Sequence, residues 1–97
     1  MGVRSMKLKI KLLRPFSKAV GKRELLLDFN GSNLEDLLKV LVNRYPKLKK
    51  EFYTKTDELT DYMCVFLNDK PTSALNGINT KLKNNDELLF FIPISGG

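Results

Sequence analysis

The chain has 97 residues, 42% apolar and 29% charged, the size and balance of one ordinary globular domain with one core. It carries a net charge of +6, one cysteine and no histidine, which excludes an internal disulfide and any nucleophile–histidine pair and removes the commonest zinc ligand. Its apolar stretches are only a few residues long, too short to span a membrane, and the cytoplasm is the default compartment for a chain with a single thiol.

Met1-Gly2-Val3-Arg4-Ser5 lacks the apolar stretch of a signal peptide, and Met6 stands where a myristoylation pattern wants Ser or Thr. Met6-Lys7 is a candidate natural start, and residues 1–5 are expected to be flexible. Residues 7–13 then alternate, which predicts a strand burying Leu8, Ile10 and Leu12, with Leu13 pointing outward with Lys7, Lys9 and Lys11. Pro15 argues against a longer central strand. Gly21 is a turn glycine, and Leu25, Leu27 and Phe29 share one face of a second strand, antiparallel to the first.

Residues 30–46 predict the main helix. Ser32 and Glu35 form a candidate capping box. Leu34, Leu37, Leu38, Leu41, Val42 and Tyr45 recur at helical spacing, and Pro46 ends the run. Residues 47–61 read as a polar loop with one helical turn near Leu48 and Phe52. Asp57, Glu58 and Asp61 show no metal-ligand spacing. Tyr62 to Leu67 reads as a strand buried on both faces, making Cys64 an inert core thiol. Turn chemistry follows at Asn68-Asp69-Lys70-Pro71, then a weak strand or loop through Leu75 and Ile78, then a turn at Asn84-Asn85-Asp86 in which Asn tolerates the left-handed conformation. The last strand is Glu87 to Ile92, with Leu88, Phe90 and Ile92 on one face and Leu89 and Phe91 on the other.

Strand, strand, helix, strand, short element, strand predicts an α+β fold: a mixed sheet with one main helix on one face and the terminal strands adjacent at its centre, the β-grasp arrangement. Residues 1–97 are expected to form this one domain, with residues 93–97 as an extended tail. Pro93 stiffens the exit, and Gly96-Gly97 is the slimmest end a chain can present. Such a tail suits threading a narrow channel to offer its carboxylate for adenylation. A terminal Gly-Gly alone is a weak signal, since many chains end in small residues; here an apolar strand and a proline lead straight into it.

With these residues in view the chain resembles the MoaD/ThiS family of sulfur carriers, with its greatest likeness to the branch that serves as the small subunit of molybdopterin synthase. The likeness runs from about Met6 to Gly97. It rests most on Asp86-Glu87, Phe90-Phe91 and Pro93-Ile94-Ser95-Gly96-Gly97, and further on Leu34–Leu38, Arg44-Tyr45-Pro46-Lys47-Leu48 and Leu67-Asn68. Asn85 replaces the family's turn glycine, Ile92 the first of two prolines and Ile94 a valine, and residues 14–18 depart from the usual loop.

The resemblance implies a cycle in which an E1-like enzyme uses ATP to adenylate Gly97, a sulfur donor converts the acyl-adenylate to a thiocarboxylate, and the synthase large subunit takes up the tail so that sulfur passes to a pterin. The chain itself would bind no cofactor or metal and would not be an enzyme. Gly97 would carry the sulfur and Gly96 give slim passage, with Pro93, Ile94 and Ser95 as tail contacts. Leu13, Pro71 and Phe91 would form an apolar docking patch on the open sheet face. The alternatives are a carrier for tRNA thiolation or thiamin synthesis, a modifier attached to protein lysines, and, in a different class, a basic binding module with an idle tail. No recognisable nucleic-acid motif accompanies the charge, and nucleic acid is not an expected partner.

Overall fold

The computed structural model describes residues 5–93. Of the expected flexible start, residues 1–5, and extended tail, residues 93–97, all but Ser5 and Pro93 lie outside the described residues. The first strand, β1 (Met6–Leu12), buries Leu8, Ile10 and Leu12, as the alternation predicts. It pairs antiparallel with β2 (Glu24–Phe29), whose Leu25, Leu27 and Phe29 are buried. Between them lies a helix the sequence reading missed, α1 (Phe16–Val20). Five residues are too few to display a helical period. One buried residue, Phe16, anchors it, and Gly21 closes it at φ 87°, the left-handed conformation that suits glycine.

The main helix, α2 (Leu34–Arg44), buries Leu34, Leu37, Leu38 and Leu41. Its cap lies one residue later than the Ser32/Glu35 pair. Asn33 Oδ1 accepts from the Asp36 N–H at 2.9 Å, and Asp36 reaches back to the Asn33 N–H at 3.4 Å. Asp36 also accepts from the Ser32 N–H at 2.9 Å and from its hydroxyl at 3.1 Å. Ser32 therefore supports the cap without being it. These bonds, the Ser32 N–H foremost, hold the Asp36 carboxyl below its ordinary pKa. Gly31 makes room for the turn, since a Cβ there would stand 2.6 Å from Asp36 Cβ and 2.5 Å from the Phe29 ring.

After Tyr45 the chain makes a 3-10 turn, Pro46–Leu48, and a short helix, α3 (Lys49–Phe52), that bury Leu48 and Phe52 completely. The third strand, β3 (Cys64–Leu67), is shorter than expected, and Tyr62 before it is exposed. Its burial alternates, with Val65 and Leu67 inside and Cys64 and Phe66 half-buried, so only one face is covered. A tight turn with positive φ at Asn68 (48°) and Asp69 (73°) leads to β4 (Lys70–Pro71). The segment through Leu75 and Ile78 forms two 3-10 turns, Thr72–Ala74 and Gly77–Asn79, rather than a strand. Asn85 takes φ 70° as expected, and β5 (Glu87–Phe91) follows.

The sheet order is β2-β1-β5-β3-β4. β1 and β5 run parallel at its centre, and every other pairing is antiparallel. This is the ubiquitin-like β-grasp fold. One core unites the inner face of the sheet with the helices. In its midst Phe90 lies 5.6 Å from the Phe52 ring and 6.2 Å from Phe16, and Phe16 and Phe52 are 5.6 Å apart. Among the described residues, no helix is long and apolar enough to cross a membrane.

Candidate functional site: the tail exit and the open sheet face

Parallel pairing of β1 with β5 brings Leu12 opposite Phe90, so the chain leaves the sheet at the end where β1 turns into α1. The Leu13 N–H donates to Phe90 O at 3.0 Å, carrying the ladder one step past the strand. Side-chain bonds fix the register of β5 behind this exit. At the other end of β5, Asp86 is buried and accepts from Asn68 Nδ2 at 2.8 Å and from the Lys83 N–H at 2.7 Å. Asn68 Oδ1 accepts from the Glu87 N–H at 2.9 Å, and the Asn68 N–H donates to Glu87 O at 2.9 Å. Asn84 Oδ1 accepts the Lys7 N–H at 2.8 Å, tying the same turn to β1. A slip of β5 by one residue would break the bonds to Asn68 and Lys7 and turn Phe90 out of the core. Pro93 is exposed; the candidate residues Ile94, Ser95, Gly96 and Gly97 lie outside the described residues.

The face of the sheet away from the main core divides in two. One transverse row runs Glu24, Lys11, Leu89, Phe66, Pro71 across all five strands. The β2–β1 half of the face is charged apart from the exposed Leu26, with ion pairs between Lys7 and Asp28 (3.3 Å) and between Lys11 and Glu87 (3.4 Å), the latter reaching onto β5. Solvent leaves such pairs worth about 1 kcal/mol or less. The β5–β3–β4 half is apolar. Phe66 and Phe91 are tilted 53° to one another with centroids 5.4 Å apart, and Leu89 and Pro71 flank Phe66. Leu13, half exposed at 51%, stands one register step beyond Leu12, opposite Phe91.

The structure thus brings Phe91 and Pro71 to one apolar surface with Leu13 at its rim. Sequence reading missed Phe66 and Leu89 as members of that surface, and it placed Cys64 wrongly. Cys64 is opposite Phe91 on this open face and half-buried, not enclosed in the core. The signal was present in the alternation of Cys64-Val65-Phe66-Leu67, but every residue of that run is apolar, so no polar partner marks the outward phase. Asp57, Glu58 and Asp61 are exposed; the Glu58 carboxylate accepts from the Thr56 hydroxyl at 3.1 Å.

The fold and the placement of the exit define a ubiquitin-like β-grasp protein with its C-terminal segment leaving from a central strand. A family model, the ThiS family, matches residues 10–97, and the chain belongs to that family of ubiquitin-like sulfur carriers. No match is found among curated protein sequences. Among solved structures, the chain is similar to small archaeal modifier protein 1 from Methanosarcina acetivorans, at 32% identity and TM-score 0.82 over 97% of this chain and 99% of that one. The same protein from Haloferax volcanii is 27% identical, with TM-score 0.79 over 94% and 99%. A protein assigned as molybdopterin converting factor, subunit 1, from Pyrococcus furiosus shares the fold at 22% identity and TM-score 0.71, over 93% and 100%.

Proposed function

We propose that this chain carries sulfur as a thiocarboxylate on Gly97 and delivers it for molybdopterin synthesis. The observation that carries the reading is the central parallel pair β1–β5, which sends a Phe90-Phe91 strand end through an exposed Pro93 into Ile94-Ser95-Gly96-Gly97. A free carboxylate is a poor acyl electrophile. An E1-like partner adenylates it with ATP, releasing pyrophosphate. The sulfur donor then supplies a nucleophilic sulfur that attacks the acyl carbon and expels AMP. Glycines without side chains let the activating partner close around the reacting carbonyl. The carrier supplies the acyl group, and the catalytic groups belong to its partners in the cytoplasm.

On this reading the apolar half of the open face, centred on Phe66 and Phe91, docks against the synthase large subunit while Pro93, Ile94 and Ser95 line the path into its active site. Buried aromatic anchors with charge confined to the rim are the composition of a specific protein interface. The test is to mix the thiocarboxylate form with the large subunit and the pterin precursor. Loss of one sulfur from the carrier for each one gained by the pterin supports the reading, and retention of the thiocarboxylate opposes it.

A second reading is supported by the similarity to small archaeal modifier proteins at 32% and 27% identity. In it the same acyl-adenylate passes to a lysine amine of a target protein. An isopeptide linkage from Gly97 to lysine, found in host extracts, would establish it.

A further inference from the structure

Next to the tail exit lies a groove lined by Arg14, Ser17, Lys18, Gly21, Lys22 and Arg23, with a volume of about 490 Å³. Its four cationic residues are all exposed, and among the described residues no carboxylate lines it. Glu24, the nearest acid in sequence, sits on the open face opposite Lys11. The two ion pairs among the described residues both lie elsewhere on the sheet. Four like charges gathered in one concavity repel one another, an arrangement that an anionic surface relieves.

The position of the groove says which surface. The Leu12 N–H donates to Arg23 O at 2.8 Å, and Leu12 is opposite Phe90, so Arg23, Leu12 and Phe90 form one row across the end of the sheet. α1, which carries Lys18, is pinned on the same row by Phe16 against Phe90. The groove therefore lies at the same end of the sheet as the point where the chain leaves β5, one strand away from it, within reach of a partner that takes up the tail.

We infer that the groove of Arg14, Lys18, Lys22 and Arg23 receives an acidic rim around the tail channel of the activating enzyme. This rests on the carrier reading above and adds to it the chemistry of the partner's surface. The groove steers the encounter and sets the orientation in which the tail enters. Complementary rim charges act mainly on the rate of productive encounter, while the chemistry of the bound complex is left alone.

The experiment is ATP–pyrophosphate exchange by the host's E1-like enzyme, with the full chain as variable substrate. The wild type is compared with R14Q/K18Q/K22Q/R23Q and with K70E/K81E, which removes the same four units of positive charge at positions away from the groove. Circular dichroism confirms that all three are folded. The expected result is a kcat/KM lowered roughly tenfold or more by the first variant with kcat unchanged, and a wild-type kcat/KM that falls steeply with salt. The second variant should change kcat/KM by less than about threefold. Equal kcat/KM for wild type and the groove variant would overturn the inference while leaving the carrier reading intact. No exchange with the wild type, by an enzyme active on another carrier, would overturn both. If exchange is unaffected but the wild type retains labelled tRNA and the groove variant does not, the groove serves nucleic acid instead and the inference fails.

Discussion

Phe66 and Phe91 sit side by side on neighbouring strands, 5.4 Å between ring centroids, on the face that no helix covers. Both are half-buried, so each spends part of its ring on the other and part on solvent. An aromatic pair held this way is preorganised, and a partner that covers it gains apolar burial at little entropic cost.

If the chain serves molybdopterin synthesis as proposed, Phe66→Ala and Phe91→Ala are each expected to weaken docking to the synthase large subunit by about 2 kcal/mol, roughly thirtyfold in Kd. Titration calorimetry with the purified subunit measures this. The same substitutions should leave the midpoint of thermal unfolding within a few degrees of wild type. An unchanged Kd would remove this face from the interface.

Phe90, one residue away and on the opposite face, should behave in the reverse manner. It is fully buried against Phe16 and Phe52. Phe90→Ala is expected to cost about 3–5 kcal/mol, a large share of the stability of a small domain. Urea unfolding at neutral pH reads the loss directly. A cost below 1 kcal/mol would mean that the aromatic cluster is not the centre of the core.

Asn68 tests how the exit is aimed. At φ 48° a glycine is unstrained, so Asn68→Gly removes the side-chain bonds to Asp86 and Glu87 without adding backbone strain. The expected loss is about 1–3 kcal/mol, because a buried carboxylate oxygen is left without its donor. Amide exchange should quicken at Glu87 and Leu88 before the rest of β5.

The helix cap carries a pH signature. Asn33→Ala is expected to cost about 1 kcal/mol. The Asp36 carboxyl is held below its ordinary pKa, led by the Ser32 N–H. Its stabilising effect is therefore fully present above the ordinary carboxylate range and is lost as pH falls through the lowered value. Asp36→Asn should be less stable than wild type at pH 7, and the difference should shrink as the solution is acidified below pH 4. A difference that is constant with pH would show that the carboxylate's charge plays no part in the cap.

Much of this architecture could be read from the chain. Alternation in Lys7–Leu12 and Leu25–Phe29, and the leucine spacing of α2, mark elements whose two faces differ in polarity. Where that contrast is missing, the reading failed. Phe66 and Cys64 sit among apolar neighbours, so the exposed phase of β3 carries no polar label, and the apolar half of the open face was only partly seen. The helix α1 is fixed by one tertiary contact, Phe16 in the aromatic core, which no local period announces. The cap moved by one residue because Ser32, Asn33, Glu35 and Asp36 offer two overlapping boxes. Local chemistry does not choose between them; in the fold Asp36, packed close to Gly31, bonds to Ser32 and Asn33 together. The basic groove was out of reach for a similar reason. Arg14, Lys18, Lys22 and Arg23 look like scattered charge along the chain until α1 folds them onto one rim.

In the proposed function Gly97 is the reactive end of the molecule. Its most direct test is the intact mass of the protein after incubation with ATP, a sulfur donor and the host's E1-like enzyme, beside a variant lacking Gly97. Sulfur carriage on Gly97 predicts a mass gain equal to the exchange of one oxygen for sulfur in the wild type and no change in the variant. A wild-type mass that stays unmodified, with the same enzyme active on another carrier, would contradict it.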